Sequence, residues 1–231
     1  MLTVLEIIKK TTDFFTGKGI ESPRLNAELL IGHALDRQRM QLYLEFERPL
    51  AESDLEKIRP LVRRRAQHEP LQYILGETEF FGLKLKVDRR ALIPRPETEQ
   101  LLEHVVAACS SRPPPVRILD LGTGSAAIAL GLAQTFAGAT LVAVDIDDQA
   151  LALARENATA TGLSERVTFL RSEWYAGLPA GHFDVIVSNP PYLSAEETTQ
   201  TSLEVRGYEP LQALTAADGG LADLAVIVRD A

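Results

Sequence analysis

Cysteine is almost absent from the 231 residues: Cys109 stands alone, which excludes an internal disulfide and reads as a lone buried thiol. No Cys/His cluster has metal-ligand spacing either, so no bound metal is expected. Long apolar runs are missing. Nothing approaches the ~18 consecutive apolar residues of a membrane span. The start, Met1-Leu2-Thr3-Val4-Leu5-Glu6, has neither a basic region nor a long apolar stretch behind it, and a cytoplasmic chain with no membrane partner is expected. Positive charge is in deficit, with a net charge of −8, which argues against a broad counterion-releasing grip on nucleic acid. What is present is ordinary globular composition, 45% hydrophobic and 24% charged, at a length that suits one large domain or a domain with a smaller module. Residues 1–75 carry +1 and residues 76–231 carry −9, which favours two modules. The run Arg63-Arg64-Arg65 reads as the solvated face of a helix.

From Thr3 to about His68 apolar residues recur at helical spacing, as in Leu25, Leu29, Leu30 and in Leu55, Ile58, Leu61, Val62. Residues 1–75 are therefore expected to be a small helical bundle. Ser22 before Pro23, and Ser53 with Glu56, have the pattern of helix N-caps. Period two then takes over through Phe81, Leu83, Leu85 and Val87, and residues 76–95 read as a hairpin joining the modules. Ile93-Pro94-Arg95-Pro96 must be extended, and a helix follows from Glu97 to Ala108. Beyond the spacer Ser110–Pro115, strands are expected at Val116–Leu121, Thr140–Ile146, Val167–Leu170 and Phe183–Val187, with helices at Ser125–Phe136 and Asp148–Ala160. Strands alternating with helices of this length mean βαβ units in an open, doubly wound parallel sheet, here over residues 96–231.

Asp120-Leu121-Gly122-Thr123-Gly124-Ser125-Ala126 falls where the first of those strands turns into a helix, and ligands of open α/β sheets lie outside the carboxyl ends of the strands. Alone this is also the pattern of a tight turn. Asp145, at the end of the next strand and 21 residues beyond Gly124, adds a carboxylate able to accept both ribose hydroxyls of a nucleoside. NAD and S-adenosylmethionine both satisfy that pair; the absence of a third glycine leans away from NAD. Ser188-Asn189-Pro190-Pro191-Tyr192 follows the fourth strand. Its prolines hold the Asn189 amide and the Pro190 carbonyl so that two acceptor oxygens can take both hydrogens of a planar NH2 group, with the Tyr192 ring against the same plane.

Asn189-Pro190-Pro191-Tyr192 resembles the motif of amino-methyltransferases acting on adenine amino groups or glutamine amides. Five further segments narrow the resemblance: Glu69–Gly76, Phe80-Phe81-Gly82, Leu92–Glu99, Asp120–Gly124, and Glu209-Pro210 ahead of Ala213-Leu214. From about Glu69 onward the chain is similar to the release factor glutamine methyltransferases, the PrmC/HemK family. The resemblance implies a Rossmann-like class I methyltransferase domain, S-adenosylmethionine as cofactor, and release factors as protein substrates methylated on the glutamine of their Gly-Gly-Gln loop. It carries over Asn189, Pro190 and Tyr192 as catalytic, with Pro191 beside them in substrate binding. Gly122, Thr123, Gly124, Ser125 and Ala126 become the loop under the methionine part, Asp145 the ribose acceptor, and Glu173 and Trp174 the neighbours of the adenine, with Asn189 touching the cofactor as well. Glu173 stands where the family commonly has Asp, and Ala126 where it usually has Gly. Residues 95–99 would form a lid. The family's sheet continues past the last strand counted here, so an incomplete sheet is expected. Two alternatives follow: an adenine-N6 methyltransferase on DNA or RNA, and a shortened cofactor-binding interaction module.

Overall fold

The computed structural model describes residues 2–178 and 181–231; Met1, Pro179 and Ala180 lie outside it. Its first five helices are α1 (Val4–Gly17), α2 (Pro23–Leu35), α3 (Arg39–Leu44), α4 (Glu52–Ala66) and α5 (Leu71–Leu75). A hairpin follows, β1 (Glu77–Phe80) and β2 (Leu83–Lys86), then α6 (Pro96–Cys109) and β3 (Arg117–Leu121). The chain continues through α7 (Ala127–Thr135), β4 (Thr140–Asp145), α8 (Asp148–Ala160), β5 (Val167–Arg171) and β6 (Val185–Ser188). It ends with α9 (Ala195–Gln200), α10 (Leu203–Tyr208) and α11 (Ala222–Asp230). Among the described residues no helix is long and apolar enough to cross a membrane.

Two compact units result, residues 2–75 with 203–208, and residues 76–202 with 209–231. In the first, α1 starts at a capping box in which Thr3 and Glu6 satisfy each other's backbone N–H. Val4, Ile8, Ile31, Leu42, Leu50 and Ile58 close one apolar core, and Phe15, Ile20, Ala27, Leu30 and Ile74 a second. The two expected caps are not formed. Ser22 takes a left-handed conformation (φ 47°) with no side-chain capping bond. Helix α4 begins at Glu52, ahead of Ser53, with the Asp54 carboxylate accepting from the Ala51 N–H. The arginine run is a solvated face only in part: Arg63 is exposed, Arg64 makes a two-pronged pair with Glu69, and Arg65 is buried. Arg65 donates to Asn26 Oδ1, Glu69 O and Glu204 Oε1, and Tyr208 donates to Gln67 O, which brings α10 into this unit although it lies far along the chain.

The second unit is built on a four-stranded sheet in the order β5-β4-β3-β6, every pair parallel. Alternation along the strands separates its faces. Ile118, Leu141, Ala143 and Val187 pack with the buried residues of α6, α7 and α8, while Leu119, Leu121 and Val144 pack with Ile227 of α11. Register aligns the strand ends: Leu121 pairs with Val144 on one side and Ser188 on the other, and Asp145 with Arg171. The segments leaving β3, β4, β5 and β6 therefore emerge at one edge. The hairpin belongs to this unit rather than standing apart as a linker, because the buried Asn157 of α8 accepts from Lys86 N and donates to Lys86 O. Cys109, expected to be buried, is half-exposed at the end of α6.

Candidate active site

At the end of β3 the backbone turns through Gly122 (φ +71°) and Gly124 (φ +54°), a conformation that a side chain makes costly. A Cβ at Gly122 would stand 3.5 Å from the Trp174 ring, so the bare backbone leaves a cradle beside the indole. The loop is tied down from three sides. Thr123 N donates to Val144 O at 2.9 Å, Thr123 Oγ1 to Asp120 Oδ2 at 2.6 Å, and Asn157 Nδ2 to Ser125 O at 3.0 Å. Asp145 accepts from Gly124 N at 2.9 Å through one oxygen and from Asp147 N at 3.0 Å through the other. A carboxylate has about four acceptor positions, so each oxygen keeps capacity for an incoming hydroxyl. Burial raises the Asp145 pKa above the ordinary value, and the backbone N–H donors of Asp147 and Gly124 offset this only in part.

These groups line a cavity of about 240 Å³. Gly122, Thr123, Gly124, Ser125, Asp145, Glu173, Trp174, Asn189 and Pro191 all face it, joined by Ile93, Arg95 and Thr98. A second cavity, of about 210 Å³, is lined by Pro190, Tyr192, Leu193, Glu97 and Leu101. Leu92, Arg95, Thr98, Asn189 and Ala213 line both. Asn189 thus stands where the two spaces adjoin, carried there by β6, whose last residue Ser188 donates to Leu121 O at 2.7 Å. Pro190 is buried and Tyr192 is 61% exposed, which puts the ring at the outer rim.

One expected residue does not reach the cavity. Ala126 is fully buried in the core against α7, in a left-handed conformation (φ 66°) rather than a helical one. The expected lid divides in the same way: Arg95 and Thr98 line both cavities and Glu97 the second, whereas the Glu99 carboxylate turns away to accept from Phe81 N. Three supporting residues had no assigned role in the sequence, Asp120, Asn157 and Glu209, and a fourth, Thr98, does more than its expected place in the lid. Asp120 and Asn157 hold the glycine turn, Thr98 accepts from Asn189 Nδ2 at 3.2 Å, and buried Glu209 accepts from Arg95 at 2.5 Å and from Ile93 N at 3.4 Å. A signal existed for Glu209 in the Glu-Pro pair, and for Thr98 in its place within Arg95–Glu99. Asn157 gave none, since only its burial distinguishes it from a surface Asn on a helix.

The family model for the PrmC N-terminal domain matches residues 6–76, and that for the methyltransferase small domain matches residues 96–206. The release factor glutamine methyltransferase of Chlorobaculum tepidum is 47% identical over 226 residues, covering 94% of this chain and 76% of that protein. The chain belongs to the release factor glutamine methyltransferase family. Its relative of the same name from Rhodopirellula baltica is 42% identical over 233 residues (99% of this chain, 78% of that one), and the Escherichia coli relative 39% over 209 (90% and 74%). Among solved structures, the hMettl16 catalytic domain in complex with a MAT2A 3'UTR hairpin superposes with a TM-score of 0.50 at 22% identity, covering 74% of this chain and 62% of that one. That likeness is one of fold, and it agrees with a Rossmann-like class I methyltransferase domain in the second unit.

Proposed function

We propose that this chain transfers a methyl group from S-adenosylmethionine to the side-chain amide nitrogen of the glutamine in the Gly-Gly-Gln loop of peptide chain release factors. Family membership supports the activity. The observation that carries its placement in the structure is the adjoining of two cavities at Asn189, one under the glycine turn and Asp145, the other beside Pro190 and Tyr192. The residues present fit the cofactor: a bare-backbone cradle next to Trp174, and a carboxylate at the end of β4 with unused acceptor capacity for two ribose hydroxyls. Glu173 and Trp174 are assigned to the adenine end, and Gly122 to Ser125 to the methionine end. Ala126 is left out of the contact set and supports α7 from within the core.

When bound, S-adenosylmethionine supplies an electrophilic methyl group on a sulfonium centre. The chain's own residues have to orient a poor nucleophile, because the amide nitrogen's lone pair is delocalised into its carbonyl. Asn189 Oδ1 and the Pro190 carbonyl accept the two amide hydrogens, which fixes the nitrogen and favours the charge that develops on it. Tyr192 packs on the amide plane from the rim, and its ring face favours a positive charge there. As the nitrogen gains the methyl carbon, the carbon–sulfur bond would break and leave a neutral thioether, and the acidic N-methylated amide would give up one hydrogen as a proton to water. Release factors are the partner, the cytoplasm the place of action, and the −8 charge disfavours direct contact with nucleic acid.

The test is methyl transfer from labelled cofactor to purified release factor, to a factor with the loop glutamine replaced, and to a DNA duplex. Label on the intact factor alone is expected. Asn189→Ala should lower turnover by at least about 10²-fold, as losing one aligned polar group does in comparable sites, with cofactor affinity little changed. Label on DNA would transfer the assignment to adenine amino groups, and cofactor binding without any methyl transfer would leave the interaction module.

A further inference from the structure

Building on the proposed function, we infer that Thr98 is a positioning residue that anchors the Asn189 amide by its Nδ2 end, with Oδ1 left for the substrate. An Asn side chain is a donor on one side and an acceptor on the other, and only the acceptor side can take a hydrogen from a glutamine amide. Asn189 follows directly on β6 and is only half-buried, so packing alone does not choose between its two faces. Its Nδ2 donates to Thr98 Oγ1 at 3.2 Å. That bond engages one of the two Nδ2 hydrogens and leaves Oδ1 to the adjoining cavities, both of which the two residues line.

Thr98 is built to hold that position. It lies in the first turn of α6, whose entry is stiffened by Pro96, and its N–H is bonded to Arg95 O at 2.9 Å. The side chain is buried and β-branched, which restricts its rotamers. The segment leading into α6 is fixed in turn by the buried Glu209 carboxylate, which accepts from Arg95 and from the Ile93 N–H. Without the hydroxyl, Nδ2 would face a methyl group and lose its partner, and rotation of the amide would present a donor to a donor.

Three variants separate this role from packing. Thr98→Val keeps shape and removes the acceptor, and Thr98→Ser keeps the acceptor. Asn189→Asp identifies the Asn189 side-chain amide signals by their disappearance from a ¹⁵N spectrum. In the cofactor-free protein those signals should move in Thr98→Val and stay near their wild-type positions in Thr98→Ser. With release factor as substrate, Thr98→Val should lower kcat about 10- to 100-fold, the range expected of a mispositioned reacting group, with cofactor affinity and melting temperature held and Thr98→Ser restoring most of the rate. Unmoved amide signals in Thr98→Val overturn the inference, as does a wild-type kcat for that variant. So does an equal loss of rate, affinity and stability in both variants, which would make Thr98 a packing residue. If the wild-type protein methylates no release factor, the functional reading fails, and the amide signals still decide the contact.

Discussion

Asp120 offers the sharpest physical test of the glycine turn. Its side chain has no solvent exposure, and burial raises its pKa to about 7. The hydrogen bond from the Thr123 hydroxyl to Oδ2 and the Ala129 backbone N–H offset only part of that push, the Asp145 charge adds a smaller one, and Oδ1 has no hydrogen-bond partner among the described residues. The folded state therefore binds a proton that the unfolded chain, with a carboxylate pKa near 3.9, has already released. Because the folded pKa is the higher, this group's contribution is fully present below about pH 4 and is lost as pH rises toward 7. At 1.36 kcal/mol per unit the full loss is about 4 kcal/mol, of which about 2.5 kcal/mol falls between pH 5 and pH 8. Asp120→Asn cannot ionise. It keeps an oxygen for the Thr123 hydroxyl and places a buried NH2 group without a partner where Oδ1 stands, a pH-independent cost of ~1–3 kcal/mol. Urea unfolding of both proteins at pH 5, 6, 7 and 8, followed through the single tryptophan, Trp174, gives the difference directly. The variant should gain about 2.5 kcal/mol relative to wild type across that range. Parallel stability curves for the two proteins would refute the assignment of a raised pKa to Asp120.

Gly122→Ala forces a Cβ into a left-handed position at a cost of about 1–2 kcal/mol and fills the cradle beside Trp174. Cofactor affinity, read from Trp174 fluorescence, should fall at least about tenfold, the equivalent of 1.4 kcal/mol. In the first unit, burial alone would push the Glu28 carboxyl up, but donors from Arg24, Arg39 and Tyr43 hold it below its ordinary value. Stability from this group is thus present above about pH 4.3 and lost as pH falls through the lowered folded value. Glu28→Gln should destabilise the unit by about 1–3 kcal/mol at pH 7 and flatten its acid limb, as monitored by circular dichroism.

The second unit's fold was legible because each βαβ step writes its own period. Asp148–Ala160 is found as a helix with the boundaries expected, and the four strands fall within two residues of their expected starts. What local pattern did not carry was long-range pairing. Helix α10 reads as part of the chain around it, whereas the bond that Arg65 donates to Glu204 and the one that Tyr208 donates to Gln67 tie it to the first unit. The caps failed for a similar reason. Ser22 has the right neighbour in Pro23, but its left-handed backbone directs its carbonyl, not its hydroxyl, into the bonding, where Asn26 donates to it.

The site divides along the same line. Groups that touch ligand advertise themselves by chemistry: glycines where backbone must be bare, an acid at a strand end, an amide locked between prolines. Residues that orient them are chemically ordinary, and their roles depend on which atom they face. Thr98 reads as a helix-start residue until Asn189, 91 positions on, is found donating to it. Ala126 shows the converse, since its place in the glycine-rich loop suggested contact with the cofactor while its methyl group faces the core. A loop of alternating positive-φ residues presents successive side chains to different surroundings, so sequence adjacency to Gly124 says little about which way Ala126 points. The parallel register supplies what adjacency does not: with Leu121, Val144 and Ser188 in line, the turn after β3, Asp145 after Val144 and Asn189 after Ser188 are brought to one edge by the sheet itself. One fixed acceptor behind the Asn189 amide, Thr98 in the first turn of α6, then anchors its Nδ2 end at that edge.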